Sequence, residues 1–251
     1  MQIEKYRYIV VEGPIGAGKT TLAKRIAAAI CAQTLLEQPQ IEKYRYIVVE
    51  GPIGAGKTTL AKRIAAAIGA QTLLEQPQEN PFLEKFYRDA ARYALPTQMF
   101  FLFQRMNQLR DLTQGDLFSA PVVSDFLIEK DPIFATLTLD DDELHLYRQL
   151  YDHFNQASPR ADLVIYLQAA PATLNERIRR RGVQSEEAIS ENYLERVCES
   201  YSRFFHHYDT SPLLIVNTEH LNPVESSEDF DLLMQRIFSM RGKREFFNRG
   251  E

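Results

Sequence analysis

The sequence predicts an α/β fold in which a five-stranded parallel sheet is covered by helices on both faces. Short apolar runs of strand length alternate along the chain with longer helical stretches, as in successive β-α-β units. A glycine-rich loop joins the first of these runs to a helix, at the strand end where such sheets bind their ligands. The predicted strands span residues 46–49, 71–74, 121–126, 162–167 and 213–216.

The first predicted strand leads into a phosphate-binding loop. Gly51 is followed at the Walker A spacing by Gly56, Lys57 and Thr58. In such a loop, successive backbone N–H groups surround a phosphate, the lysine reaches the outer phosphates, and the threonine hydroxyl can hold Mg²⁺. The sequence therefore predicts ATP and Mg²⁺ as cofactors. The predicted nucleotide-binding residues are Gly51, Gly54, Ala55, Gly56, Lys57, Thr58 and Thr59.

The segment that carries this loop occurs twice. Residues 2–40 and 40–78 are identical except that Cys31 stands opposite Gly69, and no later segment repeats. Folding around the first copy would loop out 38 residues, at about 3 kcal/mol of closure entropy. Glycine also suits the left-handed helix end expected at position 69, where cysteine would cost roughly 1 kcal/mol. We therefore expect the second copy in the fold and Lys57 as the working lysine.

Helices are expected between the strands, with proline or glycine at several of their ends. Asn80-Pro81 and Pro171 are typical helix starts, and Gly182 is a typical helix end. The predicted helices span residues 60–68, 80–93, 96–115, 137–157, 171–182, 186–208 and 224–240. The expected organisation is a duplicated segment at 1–39, a catalytic domain at 40–240 and a polar, frayed tail at 241–251.

Composition and charge exclude several classes of function. The net charge is −5, and it would be −7 without residues 2–39, which argues against nucleic acid polymers or anionic membranes as the main partner. No apolar run approaches the roughly 18 residues of a membrane span, and the N-terminus lacks a signal-peptide pattern. Two cysteines provide no disulfide framework. A cytoplasmic globular protein is expected.

Charged residues that suit phosphoryl transfer follow the predicted strands and one helix. Glu75 and Asp125 come directly after the second and third strands, at the sheet edge that holds the Walker loop. Arg177 and Arg181 share a helix face just before Gly182. The two arginines fit a closing lid that clamps the transferred phosphoryl group, although a solvated basic face at a helix end has the same pattern.

A longer series of motifs extends this picture. In order, they are Gly51-x4-Gly56-Lys57-Thr58, Leu74-Glu75-Gln76-Pro77, Asn80-Pro81-Phe82-Leu83, Phe86-Tyr87, Thr97-Gln98, Arg105, Ser124-Asp125, Asp131 and Arg177-x3-Arg181-Gly182. The series resembles the deoxynucleoside kinase family, especially its bacterial deoxyadenosine/deoxyguanosine/deoxycytidine kinase branch. The resemblance covers about residues 41–239. It implies a P-loop fold like that of thymidylate kinase, a deoxynucleoside substrate and a homodimer.

The resemblance also implies a role for each matching residue. Glu75 would be the general base for the sugar 5′-OH, and Asp125 would help Thr58 to hold Mg²⁺. Gln98 would read the nucleobase edge, in front of an ion pair between Arg105 and Asp131. The remaining matches are Tyr87 and Glu186 for the 3′-OH, and Arg177 and Arg181 for the lid.

Two positions depart from the family pattern. Phe126 and Val183 stand where relatives usually carry arginines, the first of which normally approaches the phosphates. Lys130 or a lid arginine is a candidate substitute for the first.

Three other functions stay open at this point. A nucleoside monophosphate kinase has the same fold, although a phosphate acceptor would favour arginine over Glu75. A nucleotide-binding protein without turnover, or an engineered duplication, is also compatible if the extra segment competes for the active site.

Overall fold

A computed structural model of the chain describes residues 10–12, 19–29, 44–114, 120–155, 158–183, 186 and 189–249. The chain divides into two compact units, Met1–Pro39 and Gln40–Glu251. In the first unit, the described residues include one helix, α1 (Lys19–Ala29). Most of the duplicated segment at 1–39, including its glycine-rich loop, lies outside the described residues. Some of the predicted helix ends also lie outside them. Within the described residues, no helix combines the length and apolar character required to cross a membrane.

The second unit is built on a parallel sheet of six strands. These are β1 (Tyr46–Glu50), β2 (Gln71–Leu73), β3 (Val122–Ser124), β4 (Leu163–Gln168), β5 (Leu213–Asn217) and β6 (Arg244–Phe247). Their order across the sheet is β2-β3-β1-β4-β5-β6, and every neighbouring pair is parallel. The second copy of the repeat therefore supplies the central strand β1, because Val48 pairs with Ser124 on one side and Val164 on the other.

The sheet has six strands where five were predicted, and the sixth lies in the tail that was predicted to be frayed. Residues 244–247 pair in parallel with β5. The Arg244 guanidinium donates to the carbonyl oxygens of Phe205 (2.8 Å) and Tyr208 (2.5 Å), and Phe247 packs against the core. The polar composition of the tail hides this strand because an edge strand needs few apolar residues.

Helices cover both faces of the sheet, as predicted. They are α2 (Lys57–Ile68), α3 (Leu83–Arg88), α4 (Ala90–Gln114), α5 (Asp131–Thr138), α6 (Asp141–Asn155), α7 (Pro171–Arg181), α8 (Glu191–His207) and α9 (Ser227–Ser239). Alternate residues of β1 enter different cores, since Ile47 packs with α2 and α9 whereas Val48 packs with α4, α5 and α8.

Several helix boundaries differ from the predictions. Pro96 lies inside α4 instead of opening a helix, and the chain bends earlier, at Asp89, whose φ/ψ of −144°/79° is not helical. Helix α5, which begins at Asp131, lies almost wholly before the predicted helix at 137–157, and α6 begins only at Asp141. Helix α8 begins at Glu191 because the Ser190 hydroxyl caps it by accepting the Tyr193 N–H.

Candidate active site

The loop between β1 and α2 closes tightly against its neighbours. Gly54 and Gly56 have positive φ angles of 84° and 89°, which other residues rarely adopt. Gly51 lies so close to β4 that a Cβ there would come within 2.7 Å of the Leu167 carbonyl oxygen. The ammonium of Lys57 lies 2.8 Å from the Gly51 carbonyl oxygen and 3.2 Å from that of Pro52. The loop thus has the compact form that the Walker spacing predicts.

Thr58 and Asp125 meet at the carboxyl end of the sheet. The Thr58 hydroxyl donates to Oδ2 of Asp125, and the Glu75 backbone N–H donates to Oδ1 of the same carboxylate at 2.8 Å. Burial raises the pKa of Asp125 above its ordinary value. The described residues contain no cluster of three or more His, Cys, Asp or Glu that could hold a metal. A hydroxyl beside a carboxylate nevertheless fits Mg²⁺, which usually keeps waters and phosphate oxygens as its other ligands.

The carboxylate of Glu75 is held by Arg105, which also joins it to Asp131. Arg105 Nε donates to Glu75 Oε1 at 2.8 Å, and a terminal nitrogen reaches the same oxygen. The other terminal nitrogen pairs with Asp131, whose second oxygen accepts from the Tyr147 hydroxyl. Burial alone would raise the pKa of Glu75, but Arg105, followed by Lys130 and Lys57, lowers it to about 2. Glu75 is therefore ionised at neutral pH.

The described part of the chain also contains four further predicted site residues, Arg181, Glu186, Tyr87 and Gln98. The Arg181 guanidinium contacts both carboxylate oxygens of Glu186. Burial raises the pKa of Tyr87, and the neighbouring groups Tyr193, Glu186 and Glu75 raise it further. Gln98, on α4, is 4% exposed, and its amide makes no protein hydrogen bond within the described part of the chain. Its donor and acceptor are thus available to a ligand.

Apart from the cluster of residues around Glu75, a cavity of about 270 Å³, called the second cavity below, borders the phosphate loop. It is lined by Gly54, Ala55, Gly56, Thr59, Arg177 and Thr218, among others. Arg177 does not join Glu75; it donates to the Thr218 hydroxyl at 3.0 Å and to the Thr218 carbonyl oxygen at 2.6 Å. Burial lowers the pKa of Arg177. A wider groove of about 490 Å³ between α5 and α8 contains none of the predicted site residues.

The comparisons with known proteins agree with this geometry. Residues 47–240 match the sequence model of the family described as deoxynucleoside kinase. The chain belongs to the deoxynucleoside kinase family. It is 38% identical over 195 residues to a deoxyguanosine kinase of Bacillus subtilis, covering 77% of this chain and 76% of that protein. It is 27% identical over 246 residues to a deoxyadenosine/deoxycytidine kinase of the same organism, covering 95% and 94%.

A solved structure supports the same assignment. The deoxyadenosine kinase from M. mycoides with bound dATP superposes with a TM-score of 0.68 at 28% identity, covering 77% of this chain and all of that one. This deoxynucleoside kinase therefore has the P-loop fold of its family and phosphorylates a deoxynucleoside with ATP.

Sequence reasoning missed part of the kinase site. The spacing of residues placed Glu75 and Asp125 at one sheet edge, but the contact between Arg105 and Glu75 joins side chains 30 positions apart and leaves no sequence pattern. Arg63 was also missed. Its guanidinium donates to the carbonyl oxygens of Pro223 (2.8 Å) and Val224 (2.7 Å), which fixes the loop that borders the second cavity. Arg63 is half-buried on an Ala-rich helix, and its surroundings in the sequence gave no signal of this role.

Proposed function

We propose that the site transfers the γ-phosphoryl group of ATP to the 5′-OH of a deoxynucleoside, with Glu75 as the general base. The observation that carries the proposal is the meeting of an ionised Glu75 with the Thr58–Asp125 pair and Lys57 at one strand edge. The bond from the 5′-oxygen to the γ-phosphorus forms while the bond to the bridging oxygen of ADP breaks, and Glu75 takes the hydroxyl proton. Lys57 stabilises the phosphate charge.

The residues of the second copy would hold the triphosphate. The loop residues Gly51, Gly54, Ala55 and Gly56 offer backbone N–H groups, and the second cavity, which Thr59 borders, has space beside them for the adenosine part of ATP. Thr58 and Asp125 would bind Mg²⁺, which neutralises charge on the outer phosphates. Loss of Mg²⁺ to a chelator should therefore abolish transfer.

The buried polar side chains behind Glu75 would select the nucleobase. Gln98 has both a free donor and a free acceptor, and Arg105, which pairs with Asp131, lies two turns further along the same helix. A base edge with an adjacent donor and acceptor suits the carboxamide. The charged pair favours deoxyadenosine, deoxyguanosine or deoxycytidine, since thymidine-preferring members of the family tend to be smaller and less polar at these positions. The names of the relatives, deoxyguanosine kinase and deoxyadenosine/deoxycytidine kinase, support the same group. Rates with ATP and a panel of radiolabelled deoxynucleosides test this; thymidine as the only good substrate would overturn it.

Tyr87 and Glu186 would bind the 3′-OH of the sugar. The contact of Arg181 with Glu186 supports a lid arginine beside this position, and closure of the lid would combine sugar contacts with a phosphate clamp. Arg177, anchored on Thr218, would form the opposite wall of the lid.

We also propose a cytoplasmic homodimer that binds neither nucleic acid polymers nor membranes. Phe103 on α4 and Leu146 on α6 are 46% and 48% exposed, and Phe103 packs edge-on against Phe154. An apolar surface of this kind on two neighbouring helices suits a second copy of the chain. The described Cys198 is a free thiol, which fits a reducing compartment. Light scattering of the parent and of the double variant Phe103→Glu/Leu146→Glu tests the dimer, which should dissociate in the variant.

The duplication favours one alternative, in which the first copy competes for the place of the second. We propose instead that the second copy works, because it supplies β1 and Gly69 has a φ of 65°. Lys57→Ala should abolish transfer, and Lys19→Ala should leave it near the parent level. The reverse result would assign the site to the first copy. A variant without residues 2–39 that is more active than the full chain would support competition.

A further inference from the structure

Lys130 is a buried cation for which the proposed function gives no role. It ends a short 3-10 turn, Ile128–Lys130, directly before α5, and its side chain is 2% exposed. Its ammonium lies 3.4 Å from Glu50 Oε2, beyond normal hydrogen-bond length, and 5.4 Å from the centroid of the Phe134 ring. Within the described residues, no protein acceptor forms a hydrogen bond with this ammonium. A buried ammonium with unused donors is costly unless a ligand completes it.

Neutralisation of Glu50 does not explain why the Lys130 ammonium is buried. One carboxylate oxygen of Glu50 accepts from the Gly51 N–H at 2.8 Å and the Tyr201 hydroxyl at 3.1 Å, and the other accepts from the Leu127 N–H at 2.9 Å. Three neutral donors at good distances already stabilise this carboxylate. The longer contact with Lys130 therefore leaves the ammonium free to bind another anion.

The surroundings of Lys130 indicate which anion this is. Glu50, which lies 3.4 Å from the Lys130 ammonium, also accepts the Gly51 N–H, and the Gly51 carbonyl oxygen lies 2.8 Å from the Lys57 ammonium. On the other side, Asp131, the residue after Lys130, is joined through Arg105 to Glu75. Two ammonium groups that repel each other in a buried site are stabilised by an anion between them. Beside Glu75 and Lys57, that anion is the phosphoryl group in transfer.

We propose that Lys130 is a catalytic residue whose ammonium contacts the transferred phosphoryl group, with Glu50 holding it in position. It would supply the cation that the sequence lacks at Phe126, whose side chain is fully buried in the apolar core. As the bond to the 5′-oxygen forms and the bond to ADP breaks, charge on the equatorial oxygens is stabilised by Lys130 and Lys57. The inference rests on the proposed positions of ATP and Glu75.

The test removes the charge and keeps the volume of the side chain. Lys130→Met retains the stem over Phe134, Lys130→Arg retains a cation, and Lys62→Met removes an exposed lysine of α2 as the matched control. With ATP and the best deoxynucleoside of the panel, kcat should fall about 10²–10³-fold for Lys130→Met. Lys130→Arg should retain more activity than Lys130→Met, and Lys62→Met should match the parent. The Kd of the deoxynucleoside, measured by calorimetry, should change less than about threefold because Lys130 acts on the phosphoryl group. An unchanged kcat in Lys130→Met would overturn the assignment.

A double-mutant cycle separates catalysis from neutralisation of Glu50. If Lys130 only balances Glu50, Lys130→Met should have no effect on kcat in a Glu50→Gln background, and the proposal would be wrong. If Lys130 contacts the phosphoryl group, the loss should be similar in both backgrounds. Should the single Met variant fail to fold, the Glu50→Gln/Lys130→Met double variant, in which neither buried charge is left unpaired, is compared with the parent and with Glu50→Gln. A parent chain that phosphorylates no deoxynucleoside would refute the proposed function as well, whereas an active parent with an active Lys130→Met would refute Lys130 alone.

Discussion

Replacement of Asp131 by asparagine tests the ion-pair network behind Glu75. The Asp131 side chain is fully buried, and it contacts Arg105 and the Tyr147 hydroxyl. Removing one partner of a buried ion pair costs about 3–5 kcal/mol, because the other charge stays buried. The lower end applies here, since asparagine keeps an oxygen for Arg105, its amide can donate to Tyr147, and Arg105 keeps Glu75. We expect a loss of about 3 kcal/mol in the free energy of unfolding.

Thermal unfolding followed by circular dichroism measures this loss. For a domain of this size, 1 kcal/mol shifts Tm by about 2–4 °C, so Asp131→Asn should unfold about 6–12 °C below the parent. Asp152→Asn, at an exposed position of α6, is the control and should stay within about 2 °C of the parent. A Tm for Asp131→Asn as high as that of the control would show that Glu75 alone is a sufficient partner for Arg105.

Three further outcomes follow from the contacts described above. Since its pKa is about 2 instead of 4.5, Glu75 contributes about 3 kcal/mol of stability above pH ~4.5, which is lost as the pH falls towards 2. In urea titrations, the parent should therefore lose its advantage over Glu75→Gln across this range, and a difference independent of pH would contradict the ion pair. Gly69→Cys should lower the free energy of unfolding by about 1 kcal/mol, or Tm by about 2–4 °C, because the φ of 65° disfavours a side chain. The cost stays this small because a Cβ at Gly69 would meet nothing within 4 Å. A loss above about 3 kcal/mol would reveal a steric conflict. Arg63→Met should raise the KM for ATP several-fold and leave the KM for the deoxynucleoside unchanged, because Arg63 fixes the loop at Pro223; equal changes in both constants would argue against this role.

The sequence was informative where chemistry depends on local spacing. Three features could be predicted because each depends on residues adjacent along the chain. They are the glycine-rich loop, strands β1 to β5, and the carboxylates that follow β2 and β3. Pro96 shows a limit: its usual meaning as a helix start was overridden in α4, where tertiary packing holds a long apolar helix together. Strand β6 shows another, since its stability comes from pairing with β5 and from the contacts of Arg244.

The side-chain network was predictable only in part. The pairing of Arg105 with Asp131 was expected from the family resemblance, and the structure contains it. The additional contact from Arg105 to Glu75 was not expected, because it depends on how α4 packs over the end of β2. The buried position of Lys130 likewise follows from the turn before α5, a helix that the sequence analysis did not predict.

The most direct test of the mechanism is the kcat of Glu75→Gln with ATP, Mg²⁺ and a deoxynucleoside. Glutamine keeps the size of the side chain and the contact with Arg105 but cannot take the 5′-OH proton. We expect kcat to fall about 10²–10⁴-fold, while the Kd of the deoxynucleoside stays within a few-fold of the parent value. A Glu75→Gln variant that retains kcat within a few-fold of the parent would contradict the assignment of Glu75 as the general base.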